Sequence, residues 1–425
     1  MKLLYITAFE PTGDSTSLWS KTYAERITQR ETTTEITIIA VSDLNKDRVV
    51  EYAKNMFINY GLTQKSSFSS ITKNISRSIE NTNPDIVHLF FNYVTFGSIL
   101  KSLCVLNFIS KVCDSKGIKH YLTLHSIIVD PFMRLLSDYR MLKSPRVQFK
   151  KVFSLISLVF LKYLKNSWDK IILPSVSEFD YFKRVLNEEE RLKIQHIPLG
   201  FEFNEIKHLF TKANSDDRKG ETRILFIGAI APYKGVHNLI KAFANLNKKI
   251  ANVNLSIIGR ATQRGRSDLK YFNQLLHLAK SENIENVCSI RNEWLTQESI
   301  VSYLQTADLI VFPTLNDGTL SFLSSPYISL LTKKRIIMTN VPRMYDYKSI
   351  RGIIFSDPDP ESLFATIYAQ VVNPKIINVD YSDAYRIHEI GIIIEKYLHL
   401  YHGTFNQTVE NTTIKMPLLK ENIDE

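Results

Sequence analysis

Short apolar runs alternate with stretches of helical periodicity along most of this chain. Strands that are apolar on both sides have to be covered on both faces, so the pattern predicts an α/β fold in which parallel sheets lie between layers of helices. The predicted strands are residues 2–9, 35–41, 86–91, 120–126, 170–174 and 194–200 in the first half, and 224–227, 253–258, 287–291, 309–313, 335–340 and 352–357 in the second.

A polar stretch, KHLFTKANSDDRKGET, separates the two series of strands. With 425 residues the chain is long enough for two or three domains. We therefore predict a first domain over residues 1–206, a linker over 207–222 and a second domain over 223–380. A final helical stretch covers 381–403, and the tail 404–425 is polar.

Residues 224–243, which read ILFIGAIAPYKGVHNLIKAF, contain a candidate anion site. The predicted strand ends at Gly228, and a helix begins after Lys234-Gly235. The N–H groups in the first turn of that helix and the Lys234 ammonium would converge on one point, where both favour an anion such as a diphosphate. The alternative interpretation is an ordinary strand–helix corner with a surface lysine.

A second candidate anion site precedes the segment YISLL. Serine before a helix and proline at its first position are typical of a helix start, and Ser324-Ser325-Pro326 has this order. It follows Asp317-Gly318 at the carboxyl end of a predicted strand. The functional interpretation is another phosphate site with Asp317 free to bind a sugar hydroxyl, and the structural one is a well-capped helix.

Three further loops lie at the carboxyl ends of predicted strands, where α/β sheets usually bind ligands. Two of them contain Gly13 and His125. The third, GRATQRGR, contains Arg260, Arg264 and Arg266. Arginine-rich loops suit phosphate or carboxylate recognition, and a solvated loop is the alternative.

The formal net charge of +10 indicates anionic partners, such as phosphorylated substrates, an acidic membrane surface or nucleic acid. The basic residues are dispersed and form no nucleic-acid signature, so we expect no nucleic-acid partner. Residues 146–170, an apolar helical pattern edged with lysines, could lie in a membrane interface. We favour the alternative, a long core helix whose lysines reach the surface.

The remaining features indicate a cytoplasmic protein, either in solution or at the membrane through residues 146–170. The three cysteines have no metal-ligand spacing and are expected to be reduced. MKLLYITAF lacks a small-residue cleavage site and is predicted to be a buried strand rather than a signal peptide. No apolar run is long enough to span a bilayer. GxSxG, HExxH, Walker A and CxxC motifs are all absent from the sequence.

Taken in order, several segments resemble the retaining glycosyltransferases of family 4, which have the GT-B fold of two facing Rossmann-like domains. In the second half the similar segments are GAIAPYKGVHNLIKAF, LSIIGRA, TADLIVFPT and PTLNDGTLSFLSSPYISLLTKKRIIMTN. In the first half they are PDIVHLF, YLTLHS, ILPSVSEFDYF and QHIPLGFE. EKYLHLYH resembles the C-terminal helix that crosses back to the first domain. The likeness extends to about residue 401.

The resemblance implies transfer of a sugar from a nucleotide-diphosphate donor to a glycan or lipid-linked acceptor, with retention and without metal or cofactor. The donor's base and phosphates would lie on the second domain. By resemblance the catalytic residues are Lys234, His125 and Asp317. The substrate-binding residues would be Gly13, Gly228, Arg260, Gly318, Thr319, Ser324 and Ser325.

Three departures from the family pattern leave other functions open. Ala229 stands where the family has an arginine, and we expect Arg260 to compensate. Ser325 stands where the family has a second glutamate, and Gly13 alone represents a glycine pair. The alternatives are an inactive nucleotide-sugar-binding subunit, or an epimerase or phosphorylase on the same fold.

Overall fold

The computed structural model describes residues 1–9, 15–42, 49–93, 95–128, 167–211, 220–261, 266–373 and 382–404. Gly13, Arg264, most of residues 146–170, part of the predicted linker and nearly all of the polar tail lie outside these ranges. The predictions made for them are therefore not examined by the structure.

The first domain is built on one sheet, in which eight described strands have the order β3-β4-β2-β1-β5-β6-β8-β9. These strands are β1 (Lys2–Ala8), β2 (Glu35–Val41), β3 (Val49–Ala53), β4 (Met56–Leu62), β5 (Ile86–Phe91), β6 (Lys119–Leu124), β8 (Lys170–Leu173) and β9 (Ile194–His196); β7 (Ile127–Ile128) lies outside the sheet. The helices are α1 (Ser15–Arg30), α2 (Phe68–Thr82), α3 (Ile99–Lys116), α4 (Val176–Val185), α5 (Glu188–Arg191) and α6 (Phe203–Lys207).

The second domain contains a parallel sheet whose six described strands have the order β12-β11-β10-β13-β15-β16. They are β10 (Thr222–Ile227), β11 (Val253–Gly259), β12 (Cys288–Asn292), β13 (Leu309–Phe312), β15 (Arg335–Thr339) and β16 (Ile353–Ser356), with a short separate strand β14 (Thr319–Leu320). Its helices are α7 (Val236–Asn247), α8 (Arg266–Ser281), α9 (Gln297–Thr306), α10 (Ser325–Leu330) and α11 (Pro360–Val372). The predicted α/β class with two parallel-sheet domains is confirmed.

The edge of the first sheet differs from the predicted parallel arrangement. β3 and β4 are joined by a tight turn at Lys54-Asn55, so they pair antiparallel. Asn55 has a positive φ of 61° in this turn, a conformation that asparagine tolerates well. β3 is largely exposed and lacks the apolar run on which the sequence prediction relied.

The C-terminal helices α12 (Ser382–His388) and α13 (Ile390–His402) return to the first domain, as expected. The buried face of α13 includes Ile393, Ile394 and Tyr397. Its Tyr401 hydroxyl lies 2.8 Å from the hydroxyl of Tyr5 and 2.6 Å from Nδ1 of His88, beneath the first sheet. No helix in the described ranges is long and apolar enough to cross a membrane.

A short β-ladder also joins the two domains, at a place away from α13. β7 pairs antiparallel with β14, with Ile128 opposite Thr319 and Ile127 opposite Leu320. Neither strand could be predicted, because two residues carry no detectable periodicity. This ladder brings the loop after β6 against the loop after β13.

Candidate functional site

The described candidate residues of the second domain gather at the carboxyl edge of its sheet, around β10 and β13. The strand order reverses there, since β10 has β11 on one side and β13 on the other. Loops diverge at such a point and leave a crevice for a ligand. Gly228 directly follows β10 and has a φ of 145°, and a Cβ on it would lie 3.5 Å from Oγ of Ser325. The structure therefore brings together two of the predicted substrate-binding residues.

Lys234 ends a 3₁₀ turn, Pro232–Lys234, which is pressed against the end of β13. The next residue has to be glycine, because Gly235 has a φ of 66° and an added Cβ would meet the carbonyl oxygen of Pro313 at 1.9 Å. Only 6% of Lys234 is exposed, and its ammonium lies 5.4 Å from the ring centroid of Tyr233. Within the described ranges this ammonium makes no hydrogen bond or ion pair.

The environment of Lys234 lowers its pKa from 10.5 to about 7. Burial is the largest cause, the charge of Arg343 is the second, and Asp317 opposes both. A buried ammonium without a hydrogen-bonding partner is costly, and a bound anion would relieve that cost.

Asp317 is not free, contrary to the prediction. Its carboxylate accepts hydrogen bonds from Arg343, at 3.0 Å from Nε to Oδ1 and 2.7 Å from Nη2 to Oδ2. Oδ1 also accepts from the backbone N–H of Thr319 at 3.2 Å. This ion pair could not be predicted from local sequence, because the arginine comes from a different loop, 26 residues further along the chain.

Arg343 is the residue that sequence reasoning missed. It lies in the 3₁₀ helix Pro342–Tyr347 after β15, and its guanidinium carbon is 4.7 Å from the centroid of the same Tyr233 ring that Lys234 contacts. A cation just after an apolar strand was the available signal, the same signal that identified Arg260. Lys234 and Arg343 together outweigh the charge of Asp317 when the lysine is protonated, so the cluster favours an anion.

Arg260 is placed differently. Its side chain is exposed at the end of β11, and its guanidinium carbon lies 5.2 Å from the ring centroid of Trp294. The arginine that shares a contact with Lys234 is therefore Arg343. Whether Arg260 also contacts a ligand stays a prediction.

The helix start predicted at Ser324 has another geometry. α10 begins at Ser325 with Pro326 in its second position, and Ser324 is already helical, with φ −79° and ψ −28°. The helix therefore starts in the predicted Ser-Ser-Pro segment, but the Ser324 side chain makes no capping hydrogen bond in this conformation. Because α10 has only six residues, its dipole adds little to anion binding. Both serines are half-buried, and Ser325 still lies beside Gly228.

The predicted sugar-binding residues lie along the contact between the domains. Gly318 has a φ of 67°, and the Thr319 hydroxyl is buried without a hydrogen bond to any described residue. His125 is half-buried and lies two residues before β7, the strand that pairs with β14. The β7–β14 ladder therefore brings the loop of His125 to the loop of Asp317.

The 3₁₀ helix Pro342–Tyr347 also contacts the first domain. Asp346 accepts hydrogen bonds from the Ser175 hydroxyl and the Val176 N–H, both at 2.8 Å, at the start of α4. Burial raises the pKa of Asp346 to about 6. Burial also raises the pKa of the neighbouring Glu178 well above its ordinary value. One short helix thus carries Arg343 toward the candidate site and Asp346 toward the other domain.

Comparison with protein families gives a match to the glycosyl transferases group 1 over residues 209–319. The matched stretch includes Gly228, Lys234 and Asp317, so the predicted family resemblance is confirmed for this part of the chain. A comparison with curated proteins finds no significant match.

Solved structures resemble nearly the whole chain. Sucrose-phosphate synthase from Thermosynechococcus elongatus is 13% identical with a TM-score of 0.71, and the match covers 95% of this chain and 99% of that one. A UDP-forming α,α-trehalose-phosphate synthase from Burkholderia xenovorans is 11% identical, with a TM-score of 0.68 and the same coverage. A lipopolysaccharide outer core galactosyltransferase is 12% identical, with a TM-score of 0.63 and again 95% and 99% covered. At these identities the likeness establishes the fold, which is GT-B.

Proposed function

We propose that this protein is a glycosyltransferase that moves a hexosyl group from a nucleotide-diphosphate donor to an acceptor. The observation that carries the proposal is the buried side chain of Lys234, which lies beside the strand-order reversal of the second sheet. The match to group 1 glycosyl transferases, which spans Lys234 and Asp317, supports the same conclusion.

The reaction requires positive charge beside the leaving group. The bond between the anomeric carbon and the diphosphate oxygen breaks, and both electrons leave with the diphosphate. Cations already fixed in a site from which water is largely excluded stabilise that developing charge without having to reorganise. Lys234 has the burial and the charge for this task.

We further propose that the reaction retains the configuration at the anomeric carbon. The acceptor hydroxyl attacks from the face that the diphosphate leaves, and a phosphate oxygen takes its proton. One of the similar structures is a trehalose-6-phosphate synthase solved in a study of glycosyl transfer with retention, which supports this assignment. The Thr319 hydroxyl and the His125 side chain, on the two sides of the β7–β14 ladder, are proposed to contact the donor sugar.

The proposed acceptor is a glycan or a lipid-linked saccharide. One of the similar structures is named as a galactosyltransferase of the lipopolysaccharide outer core, and that name supports a saccharide acceptor for this protein. The proposed location is the cytoplasm, with any membrane contact made through residues 146–170. Co-sedimentation with anionic vesicles tests that contact, and its absence would remove the membrane from the proposal.

The decisive experiment is calorimetric titration with UDP, GDP and ADP, followed by turnover assays with the matching nucleotide sugars. We expect Lys234→Ala to fold normally, to lose nucleoside diphosphate binding and to lower turnover by a factor on the order of 10²–10³. Lys241→Ala, an exposed lysine on α7, is the matched control and should behave as wild type. Unchanged turnover in Lys234→Ala would contradict the assignment.

The same assays separate the alternatives. Donor binding without turnover across many acceptors identifies a non-catalytic binding subunit. Release of free sugar without an acceptor identifies an epimerase, and a requirement for inorganic phosphate as co-substrate identifies a phosphorylase.

A further inference from the structure

The guanidinium of Arg343 has one edge engaged and one edge available. Nε and Nη2 donate to the two oxygens of Asp317, and Nε also donates to the carbonyl oxygen of Thr319 at 3.1 Å. Nη1 makes no hydrogen bond with any residue that the structure describes. Since only 10% of the side chain is exposed, this edge is largely shielded from water. A guanidinium N–H on a largely buried side chain, with no acceptor among the described residues, is well placed to donate to a ligand oxygen.

The position of Arg343 relative to Lys234 identifies the kind of ligand. Both cations contact the ring of Tyr233, at 4.7 Å and 5.4 Å from its centroid. Two like charges close together in a poorly solvated site repel each other, and one nearby carboxylate does not balance both of them. An anion with several oxygens and more than one negative charge would satisfy both cations at once.

We propose that Arg343 is a direct ligand of the donor diphosphate and shares it with Lys234. The inference rests on the proposed function and adds a residue to it. Asp317 holds the Nε–Nη2 edge of the guanidinium and so directs Nη1 toward the ligand. A planar guanidinium fixed in this way suits phosphate oxygens better than a flexible ammonium would. The second cation of the site is thus supplied by the loop after β15, while position 229 beside Gly228 carries alanine.

The test compares two variants with wild type, using whichever of UDP, GDP and ADP binds wild type most tightly. Arg343→Gln removes the guanidinium but leaves Asp317 as a buried carboxylate without its partner, which threatens the fold. The double variant Asp317→Asn with Arg343→Gln removes both charges, keeps an amide pair at the same place and leaves the net charge of the protein unchanged. Arg351→Gln, an exposed arginine eight positions further along the chain, is the control.

We expect the double variant to fold and its Kd for the nucleoside diphosphate to rise about 10- to 100-fold, the effect of one charge-assisted contact. The slope of log Kd against log ionic strength should also become shallower, because one phosphate contact is lost. A purely structural role for Arg343 would not change that slope. Arg351→Gln should match wild type in both measurements.

The outcomes separate the inference from the proposed function. If wild type binds no nucleoside diphosphate, the proposed function is wrong and the inference falls with it. If wild type binds but the folded double variant binds equally well with the same salt dependence, Arg343 is not a diphosphate ligand, and the proposed function stands without it.

Discussion

The pKa of Lys234 lies in the neutral range because the side chain is shielded from water and lies near another cation, Arg343. Burial, and then the charge of Arg343, lower its pKa from 10.5 to about 7. At pH 8 the free lysine is therefore mostly neutral. A bound diphosphate stabilises the protonated form, so binding at this pH has to bring a proton with it.

This coupling is directly measurable. We predict that at pH 8 the calorimetric enthalpy of nucleoside diphosphate binding differs between buffers of different ionisation enthalpy, by an amount that corresponds to uptake of most of one proton. Affinity should be highest below pH 7 and decline as the pH rises above 7, because an increasing share of Lys234 has to be protonated on binding. In Lys234→Met any residual binding should lack this proton uptake. Equal enthalpies in both buffers for wild type would contradict the prediction.

At the scale of single elements, the 3₁₀ helix Pro342–Tyr347 determines how the domains meet. Asp346 lies near the end of this helix. Its carboxylate accepts hydrogen bonds from the Ser175 hydroxyl and the Val176 N–H at the start of α4. Asp346 is buried, with 7% of the residue exposed, and burial raises its pKa from 3.8 to about 6. The folded protein therefore binds more protons at this residue than the unfolded chain does between pH 4 and pH 6. By linkage, stability falls as the pH rises through that interval.

We predict that Asp346→Asn reduces the fall in the free energy of unfolding between pH 4 and pH 6. An asparagine amide can still accept from the Val176 N–H and donate to the Ser175 hydroxyl, so the contact with α4 persists. Relative to wild type, the variant should gain up to about 3 kcal/mol between pH 4 and pH 7.5, the value of a shift of about two pKa units. Urea unfolding at the two pH values measures it. Glu178 should leave a residual slope, and Asp357→Asn, at an exposed carboxylate, should follow wild type. A parallel pH dependence in Asp346→Asn and wild type would count against the role of Asp346.

The elements also indicate where sequence reasoning succeeds. β5, β10 and β13 were predictable because each contains a mostly apolar run of at least four residues that is buried on both faces. The exposed edge strand β3 and the two-residue strands β7 and β14 were not, since partly polar or very short segments have no distinctive periodicity. Their strand conformation comes from pairing with a neighbour that the local sequence does not specify.

The residues of the candidate site also fall into those that the sequence predicts and those that it does not. Lys234, Gly228 and Asp317 could be found because each follows a recognisable strand. The Arg343–Asp317 ion pair and the link from Asp346 to Ser175 could not be found, because they join loops that are 26 and 171 residues apart. Local patterns locate the ends of strands, but which side chains from different loops meet there is decided by tertiary packing.

At the scale of the whole molecule, the chain has to return to its first domain after completing the second. The return begins where residues around Gly200 meet the start of α13. Phe201 donates its N–H to the carbonyl of His388 at 2.7 Å and accepts from the N–H of Ile390 at 3.0 Å. Gly200 donates its own N–H to the Tyr23 hydroxyl at 2.9 Å. Backbone from both halves of the chain therefore packs closely at this point.

The close approach explains why residue 200 is glycine and gives a test of how α13 holds the molecule together. A Cβ at Gly200 would lie 2.8 Å from Cδ1 of Ile390, 3.1 Å from Cβ of Ile393 and 3.2 Å from Cα of Ile390. The end of the Ile390 side chain can turn aside, but Cα of Ile390 and Cβ of Ile393, which is bonded directly to the backbone, can move away only if the helix shifts. We therefore predict that Gly200→Ala lowers the free energy of unfolding by about 1–3 kcal/mol, the usual range for overpacking. Hydrogen exchange should accelerate in α13 more than in the second sheet.

Gly391→Ala is the matched control, because the same methyl group is added one residue after Ile390. Gly391 is exposed and within the helix, and an added Cβ would meet nothing within 4 Å. Alanine there should raise stability by roughly 0.5–1 kcal/mol through its better helix propensity. A lower urea midpoint for Gly200→Ala and a higher one for Gly391→Ala would support the conclusion that α13 stabilises the molecule through its contact at Gly200. If both variants were stabilised alike, α13 would have room to move at Gly200, and the close packing inferred there would be wrong.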